Sequence, residues 1–176
     1  MFTKKTIKDV DVKDKTILLR VDYNVPIKDG QVSDDYRVKQ SLPTLHYLLE
    51  QNARLILCAH LGRPDGKPNP ELSLKPVAAV LEGLINRPVK FAADCVGQPA
   101  EEAVKDLKNG EILLLENLRF HPEEEANDQN FAKQLVNGAD LFVQDGFGVV
   151  HRAHASTEAI THFLPSVAGL LLDQLP

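Results

Sequence analysis

The sequence has little of what would mark it as a secreted, membrane or nucleic-acid protein. Its 176 residues include two cysteines, Cys58 and Cys95. That is too few to staple a secreted scaffold, and Cys58 lies inside an apolar run where a reduced, buried thiol is the default. No stretch approaches the run of about 18 apolar residues that a membrane-spanning helix needs. The N-terminus, Met-Phe-Thr-Lys-Lys-Thr, leads into charged sequence rather than a signal-peptide core. Net positive charge is missing too, since 20 Lys and Arg stand against 25 Asp and Glu, a balance of −5. That argues against a nucleic-acid binder and confines any anionic partner to a local basic cluster. Internal repeats, low-complexity tracts, a G-x-x-x-x-G-K-[ST] phosphate loop and any Ser or Cys nucleophile motif are all lacking. The expectation is a cytoplasmic protein with neither a membrane nor a nucleic-acid partner.

What is present is an ordinary globular composition, 43% hydrophobic and 26% charged, at a length suited to one domain. Short β-type runs alternate with longer helical patterns. Residues 16–25 (TILLRVDYNV) predict a first strand, followed by an Asp29-Gly30 turn. Apolar residues Val38, Leu42, Leu45, Leu48 and Leu49 recur at helical spacing, with Pro43 expected to interrupt. Residues 54–61 (RLILCAHL) predict a strand covered on both faces, followed by a loop rich in Pro and Gly. Ser73 is expected to cap a helix through Val77, Val80, Leu81 and Leu84. Strands are predicted at 89–93, 111–116 and 140–144, and helices at 99–107 and 128–136, the latter closed by Asn137-Gly138. Five strands alternating with four helices predict an α/β, Rossmann-like, three-layer αβα domain with a parallel sheet. The last residues, Leu170-Leu-Leu-Asp-Gln-Leu-Pro176, form an apolar, helix-like segment without a capping signal, and read as cut rather than finished.

In such a sheet ligands bind beyond the carboxyl ends of the strands. There the polar residues are dense: Arg20-Val-Asp-Tyr-Asn24, His60-Leu-Gly-Arg-Pro64, Glu116-Asn-Leu-Arg-Phe-His121 and Asp145-Gly-Phe-Gly-Val-Val-His-Arg-Ala-His154. Four of the seven arginines, Arg37, Arg63, Arg119 and Arg152, fall at strand ends or at a helix start. Arginine's planar fork suits carboxylate and phosphate, so a ring of it predicts a small, highly charged anion. Each close pair contributes about 4 kcal/mol before desolvation is subtracted, so three or four arginines could hold a trianion. Asp22 and Asn24 suit hydroxyl groups instead. The ligand therefore reads as a small sugar acid phosphate.

Competing readings exist. Arg37, Arg63 and Arg119 could pair with the neighbouring acids Asp34, Asp65 and Glu116. His151 and His154 could ligate a metal, but no suitably spaced partner accompanies them, so no metal site is expected. Gly146-x-Gly148 lacks the third glycine and the helix of a dinucleotide fingerprint. Glu123, Glu124 and Glu125 read as a solvated helix start.

The four motifs, in this order and spacing, resemble the N-terminal domain of the phosphoglycerate kinase family, from about residue 4 to the end. The resemblance implies a 3-phosphoglycerate-binding domain over 1–170 and the start of an interdomain helix over 171–176. A nucleotide-binding C-terminal domain, which would bind Mg-ATP or Mg-ADP and act in cis, has no match here. No cofactor or metal is then expected on this chain, the protein is expected to be a monomer, and the chain alone should be inactive. Carried over by motif, Asp22 and Asn24 would meet the glycerate hydroxyl and carboxyl end. His60, Arg63, Arg119 and Arg152 would hold the phosphate of 3-phosphoglycerate or 1,3-bisphosphoglycerate. Arg37 would approach the carboxylate and stabilise the transferring phosphoryl group, and Tyr23, Leu61 and Gly62 join the substrate contacts. Where the family commonly has Asn-Asp-Ala-Phe-Gly, this chain has Gln144-Asp-Gly-Phe-Gly148. Gly146 is expected to loosen the backbone there, and Val149-Val150 to add bulk near Arg152. The alternative from another class is a stand-alone anion-binding or interaction domain without catalysis.

Overall fold

The computed structural model describes residues 4–174. The chain runs through strand β1 (Thr16–Arg20), a small hairpin of β2 (Ile27–Lys28) and β3 (Gln31–Val32), and helix α1 (Tyr36–Glu50). Then come β4 (Arg54–Cys58), α2 (Lys75–Ile85), β5 (Val89–Ala92), α3 (Gln98–Lys105) and β6 (Ile112–Leu115). A short α4 (Pro122–Glu125), α5 (Gln129–Val136), β7 (Leu141–Gln144), β8 (Ser166–Ala168) and α6 (Leu170–Asp173) complete it. Six strands form one sheet in the order β5-β6-β4-β1-β7-β8, and every pairing in it is parallel.

The continuous apolar runs become central strands because both faces are covered, and successive side chains enter opposite cores. Ile17, Leu19, Leu55, Leu57, Ile112 and Leu114 pack on one side with Val38, Leu45 and Leu48 of α1 and Val77 and Leu81 of α2. Leu18, Ile56, Cys58, Leu113, Leu115 and Phe142 pack on the other with Ala100 of α3 and Phe131 and Leu135 of α5. The three-layer αβα arrangement is thus written in the strand alternation.

Several local expectations change. The first strand ends at Arg20, and residues 21–26 leave the sheet toward the β2–β3 hairpin. The expected Asp29-Gly30 turn has φ of 52° and 74°, the paired left-handed geometry that suits a two-residue hairpin. Pro43 does not interrupt α1, which runs unbroken to Glu50. An interior proline costs about 3 kcal/mol. Burying Val38, Leu45 and Leu48 contributes about 1.5–3 kcal/mol each and outweighs it. Ser73 caps only in part: its Oγ accepts the Lys75 N–H at 3.2 Å, while Leu74, the N-cap residue of α2, makes no side-chain cap hydrogen bond. Glu116, from the strand end opposite, also accepts Leu74 N–H at 2.9 Å and Ser73 Oγ–H at 2.6 Å. The sixth strand, β8, was not foreseen. It follows Pro165 and pairs in register with β7, Phe142 opposite Ser166.

Candidate active site

The chain leaves β1 leftward to β4 and returns on the right as β7, so the loops after β1, β4 and β7 spread apart at the carboxyl edge of the sheet. That is where a crevice forms in doubly wound sheets. A cavity of about 300 Å³ lies there, lined by Asp22, Asn24, Arg37, His60, Gly62, Arg63, Arg119, Gly148, Val149 and Arg152. All four strand-end arginines are in it. A larger cavity of about 1280 Å³, lined mainly by apolar residues such as Val32, Pro70, Val80 and Phe120, contains none of them.

Local contacts fix the floor. Arg37, at the start of α1, donates from Nη1 to Asp22 Oδ1 and to the Asn24 carbonyl, each at 3.0 Å. Asp22 Oδ1 also accepts the Asn24 N–H at 3.2 Å, and Asn24 Oδ1 accepts the Gly62 N–H at 2.9 Å. Gly62 has φ of +63°, and a Cβ there would lie 2.8 Å from Leu72 Cδ2. Glycine suits this left-handed turn, where a side chain would be strained and would have to displace Leu72. Arg119 donates from Nη1 to the Gly62 carbonyl at 3.2 Å, which joins a third loop to the first two.

The neighbouring acids of the competing reading do not take the arginines. Arg37 pairs with Asp22 rather than Asp34, while Arg119 has Glu125 Oε1 at 3.9 Å and not Glu116. Arg63 and Arg152 are exposed and form no ion pair among the described residues. Arg119 is 5% exposed, and its Nε and Nη2 are buried without a hydrogen-bond partner among the described residues. Burial pushes its pKa below the usual arginine value, opposed by Glu125 and reinforced by Arg152 and Arg20. The rim is strongly cationic although the chain as a whole is acidic.

Two of the expected contact residues present no side chain to the cavity. Tyr23 is fully buried, its hydroxyl 2.8 Å from Ser41 Oγ, so its side chain faces the core under α1. Leu61 is also buried; its backbone is clamped by Asn117, whose Nδ2 donates to the Leu61 carbonyl at 2.8 Å. Gly146 takes an ordinary backbone conformation. Its φ is −80°, and its N–H donates to Gln144 Oε1 at 2.8 Å, so the two unusual residues fit one another. Val149 is buried against the cavity and Val150 is exposed.

Other features escaped the sequence reading. Glu124 is not solvated but fully buried. It accepts Ser156 N–H at 2.8 Å and Ser156 Oγ–H at 2.5 Å, and so ties α4 to the segment after His154. Arg20 is fully buried beneath the cavity, with Nη2 2.8 Å from His60 Nδ1. His151 and His154 form no metal cluster among the described residues. The one group with ligand atoms within 4.8 Å of one another is Asp94, Cys95 and His121. There Asp94 Oδ1 is engaged by His121 Nε2 and the Cys95 N–H, both at 2.7 Å.

Fold and rim together place the chain among Rossmann-like α/β domains with a cationic cavity at the strand ends. The sequence profile of the phosphoglycerate kinase family matches residues 7–174. A phosphoglycerate kinase of Pelotomaculum thermopropionicum is 53% identical over 171 residues, covering 97% of this chain and 44% of that protein. One from Moorella thermoacetica is 55% identical over 171 residues with the same coverage, 97% and 44%. The crystal structure of phosphoglycerate kinase from Pyrococcus horikoshii OT3 superposes with a TM-score of 0.88 at 34% identity, over 97% of this chain and 43% of that one. That of Coxiella burnetii gives 0.86 at 35%, over 97% and 43%. The chain belongs to the phosphoglycerate kinase family, and it spans less than half the length of these relatives, 44% in both sequence comparisons.

Proposed function

We propose that this chain is the 3-phosphoglycerate-binding half of a phosphoglycerate kinase. In the whole protein it would present 3-phosphoglycerate, or accept 1,3-bisphosphoglycerate, for reversible phosphoryl transfer with ATP and ADP. The observation that carries this reading is the meeting of Arg37, Arg63, Arg119 and Arg152 with His60, Asp22 and Asn24 around one cavity of about 300 Å³. Arginine forks answer phosphate and carboxylate, and Asp22 with Asn24 answers a hydroxyl. The substrate carboxylate is ionised at neutral pH and can itself attack, so the reaction would need no general base. Phosphoryl transfer depends mainly on positioning and charge neutralisation. Arg37, about half exposed and held at its Nη1 by Asp22, would meet the carboxylate and the transferring group.

The donor set does not fit a magnesium nucleotide: the cavity offers one carboxylate, Asp22, already paired with Arg37. We assign Mg-ATP and Mg-ADP to the half of the relatives that lies outside the match. The working protein is read as a cytoplasmic, monomeric glycolytic enzyme, with this chain inactive by itself. Calorimetry tests the reading. The chain should bind 3-phosphoglycerate with an affinity that falls as salt rises, and Arg63→Ala should weaken it roughly tenfold or more. A coupled assay should show no ATP-dependent turnover. Binding of inorganic phosphate as tightly as 3-phosphoglycerate would instead fit a general anion-binding module.

A further inference from the structure

Arg20, at the last position of β1, spends its guanidinium in three directions. Nε donates to Ser156 Oγ at 2.9 Å, Nη1 donates to the Val21 carbonyl at 2.6 Å, and Nη2 lies 2.8 Å from His60 Nδ1. A guanidinium has only donors and does not lose its proton. His60 Nδ1 must therefore accept, which leaves that nitrogen without a hydrogen. A neutral imidazole with a bare Nδ1 carries its proton on Nε2, and a doubly protonated ring would set N–H against N–H.

The brace behind Arg20 has a fixed direction as well. Ser156 has one hydroxyl proton and gives it to Glu124 Oε2 at 2.5 Å, so its oxygen can only accept from Arg20. Arg20, Ser156 and Glu124 are all fully buried. The polarity of the whole chain of contacts, from the Glu124 carboxylate through Ser156 and Arg20 to the imidazole, is thus set by what each group can donate.

We propose that Arg20 is a positioning residue that holds His60 as a neutral imidazole whose Nε2–H is a fixed hydrogen-bond donor to the anion cavity. His60 lines that cavity, and Nε2 has no partner among the described residues. The groups acting on the ring are Arg20 from β1, Arg119 from the turn after β6, and Arg152 and His154 from the segment after β7. Burial first, and these four groups next, push its pKa down to about 2. The cavity also holds Arg37, Arg63 and Asp22. Among so many arginines a neutral donor can bind phosphate without adding another mutually repelling cation, and it does not titrate in mildly acidic solution. The tautomer stands on geometry alone, whereas its use on a phosphate rests on the function proposed above.

Two-bond 1H–15N correlation spectra of the ¹⁵N-labelled chain without ligand read the ring directly, with His60→Gln assigning the signals. The expected result, from pH 4 to 8, is a bare Nδ1, a protonated Nε2 and no titration. A proton on Nδ1, or a midpoint in the ordinary histidine range, overturns the proposal. Arg20→Met should release the ring to titrate and weaken 3-phosphoglycerate binding roughly tenfold. Should that variant fail to fold, the wild-type spectra still decide. His60→Gln, whose amide nitrogen reaches the Nε2 position, should keep affinity within about threefold, while His60→Asn, which reaches only the Nδ1 position, should lose roughly tenfold. The reverse order overturns the donor role. No 3-phosphoglycerate binding by the wild-type chain would refute the substrate reading alone, leaving the spectra to judge the tautomer.

Discussion

Glu124→Ala is the most demanding test of how the cavity is supported. The carboxylate is fully buried and accepts both the Ser156 N–H and the Ser156 hydroxyl, and the same hydroxyl oxygen accepts from Arg20. Each hydrogen bond to a charged acceptor is worth about 1.5–3 kcal/mol. Removing one side of a buried charge network costs about 3–5 kcal/mol, because the remaining charge is left uncompensated. These figures describe one network and do not add, so a loss of about 3–5 kcal/mol is the expected size. That is a large share of the 5–15 kcal/mol that typically holds a domain together (about two fifths at the midpoints). At roughly 2–4 °C per kcal/mol for a chain of this length, the melting temperature should fall by about 6–20 °C. Thermal unfolding followed by circular dichroism at pH 7 measures it, with Glu124→Gln as a milder control that keeps one acceptor oxygen. A Glu124→Ala melting temperature within about 2 °C of wild type would refute the assignment of this carboxylate as the tie for the segment beside Arg152 and His154.

Other perturbations test separate links. Because the native pKa of His60 lies near 2 and the unfolded ring near 6.5, the unfolded chain binds the extra proton between these values. Stability is therefore present above pH 6.5 and lost as pH falls, by about 1.4 kcal/mol per pH unit. Urea unfolding should show wild type losing about 2 kcal/mol more than His60→Gln between pH 6.5 and 5, and equal losses would contradict the depressed value. At Gly148 an added Cβ would lie 2.7 Å from Asp22 Oδ2. Gly148→Ala should therefore push Asp22 from Arg37 and weaken 3-phosphoglycerate binding roughly tenfold. Unchanged calorimetry would show that Asp22 can move without consequence. Burial pushes the Cys58 thiol up to about 12 and Cys95 well above its ordinary value. Neither should react with a disulfide reagent until denaturant is added, and a fast native thiol would count against both burials.

The architecture was legible because two-sided burial leaves continuous apolar runs, as in Ile17-Leu-Leu19 and Ile112-Leu-Leu-Leu115. Strand starts at Thr16 and Arg54 were legible, but the ends were not: the apolar pattern runs on to 25 and 61, past the last paired residues Arg20 and Cys58. Nor was side-chain direction. Tyr23 lies between Asp22 and Asn24 in sequence, yet the backbone turns it into the core against Ser41. β8 escaped because Ser166-Val-Ala168 has no period of its own and owes its strand form to pairing with β7. Glu124 escaped because a run of three glutamates looks solvated, and its partner Ser156 is 32 residues away. Arg20 did leave a signal: an arginine between Leu19 and Val21, in a strand covered on both faces, must be buried and must be paired.

The arginines beneath and around the cavity differ in what they cost the fold. Arg37, Arg63 and Arg152 are exposed, so water already solvates them and an anion must compete for their donors. Arg119 is buried with Nε and Nη2 unpartnered among the described residues, and such a group raises the energy of the native state by about 1–3 kcal/mol. An anion in the cavity toward which Arg119 turned those two N–H groups would recover part of that amount on binding. On the proposed function, stability given up at Arg119 would thus become affinity at the cavity. An uncharged, equally long side chain at 119 should make the free chain no less stable while making it bind its anion more weakly.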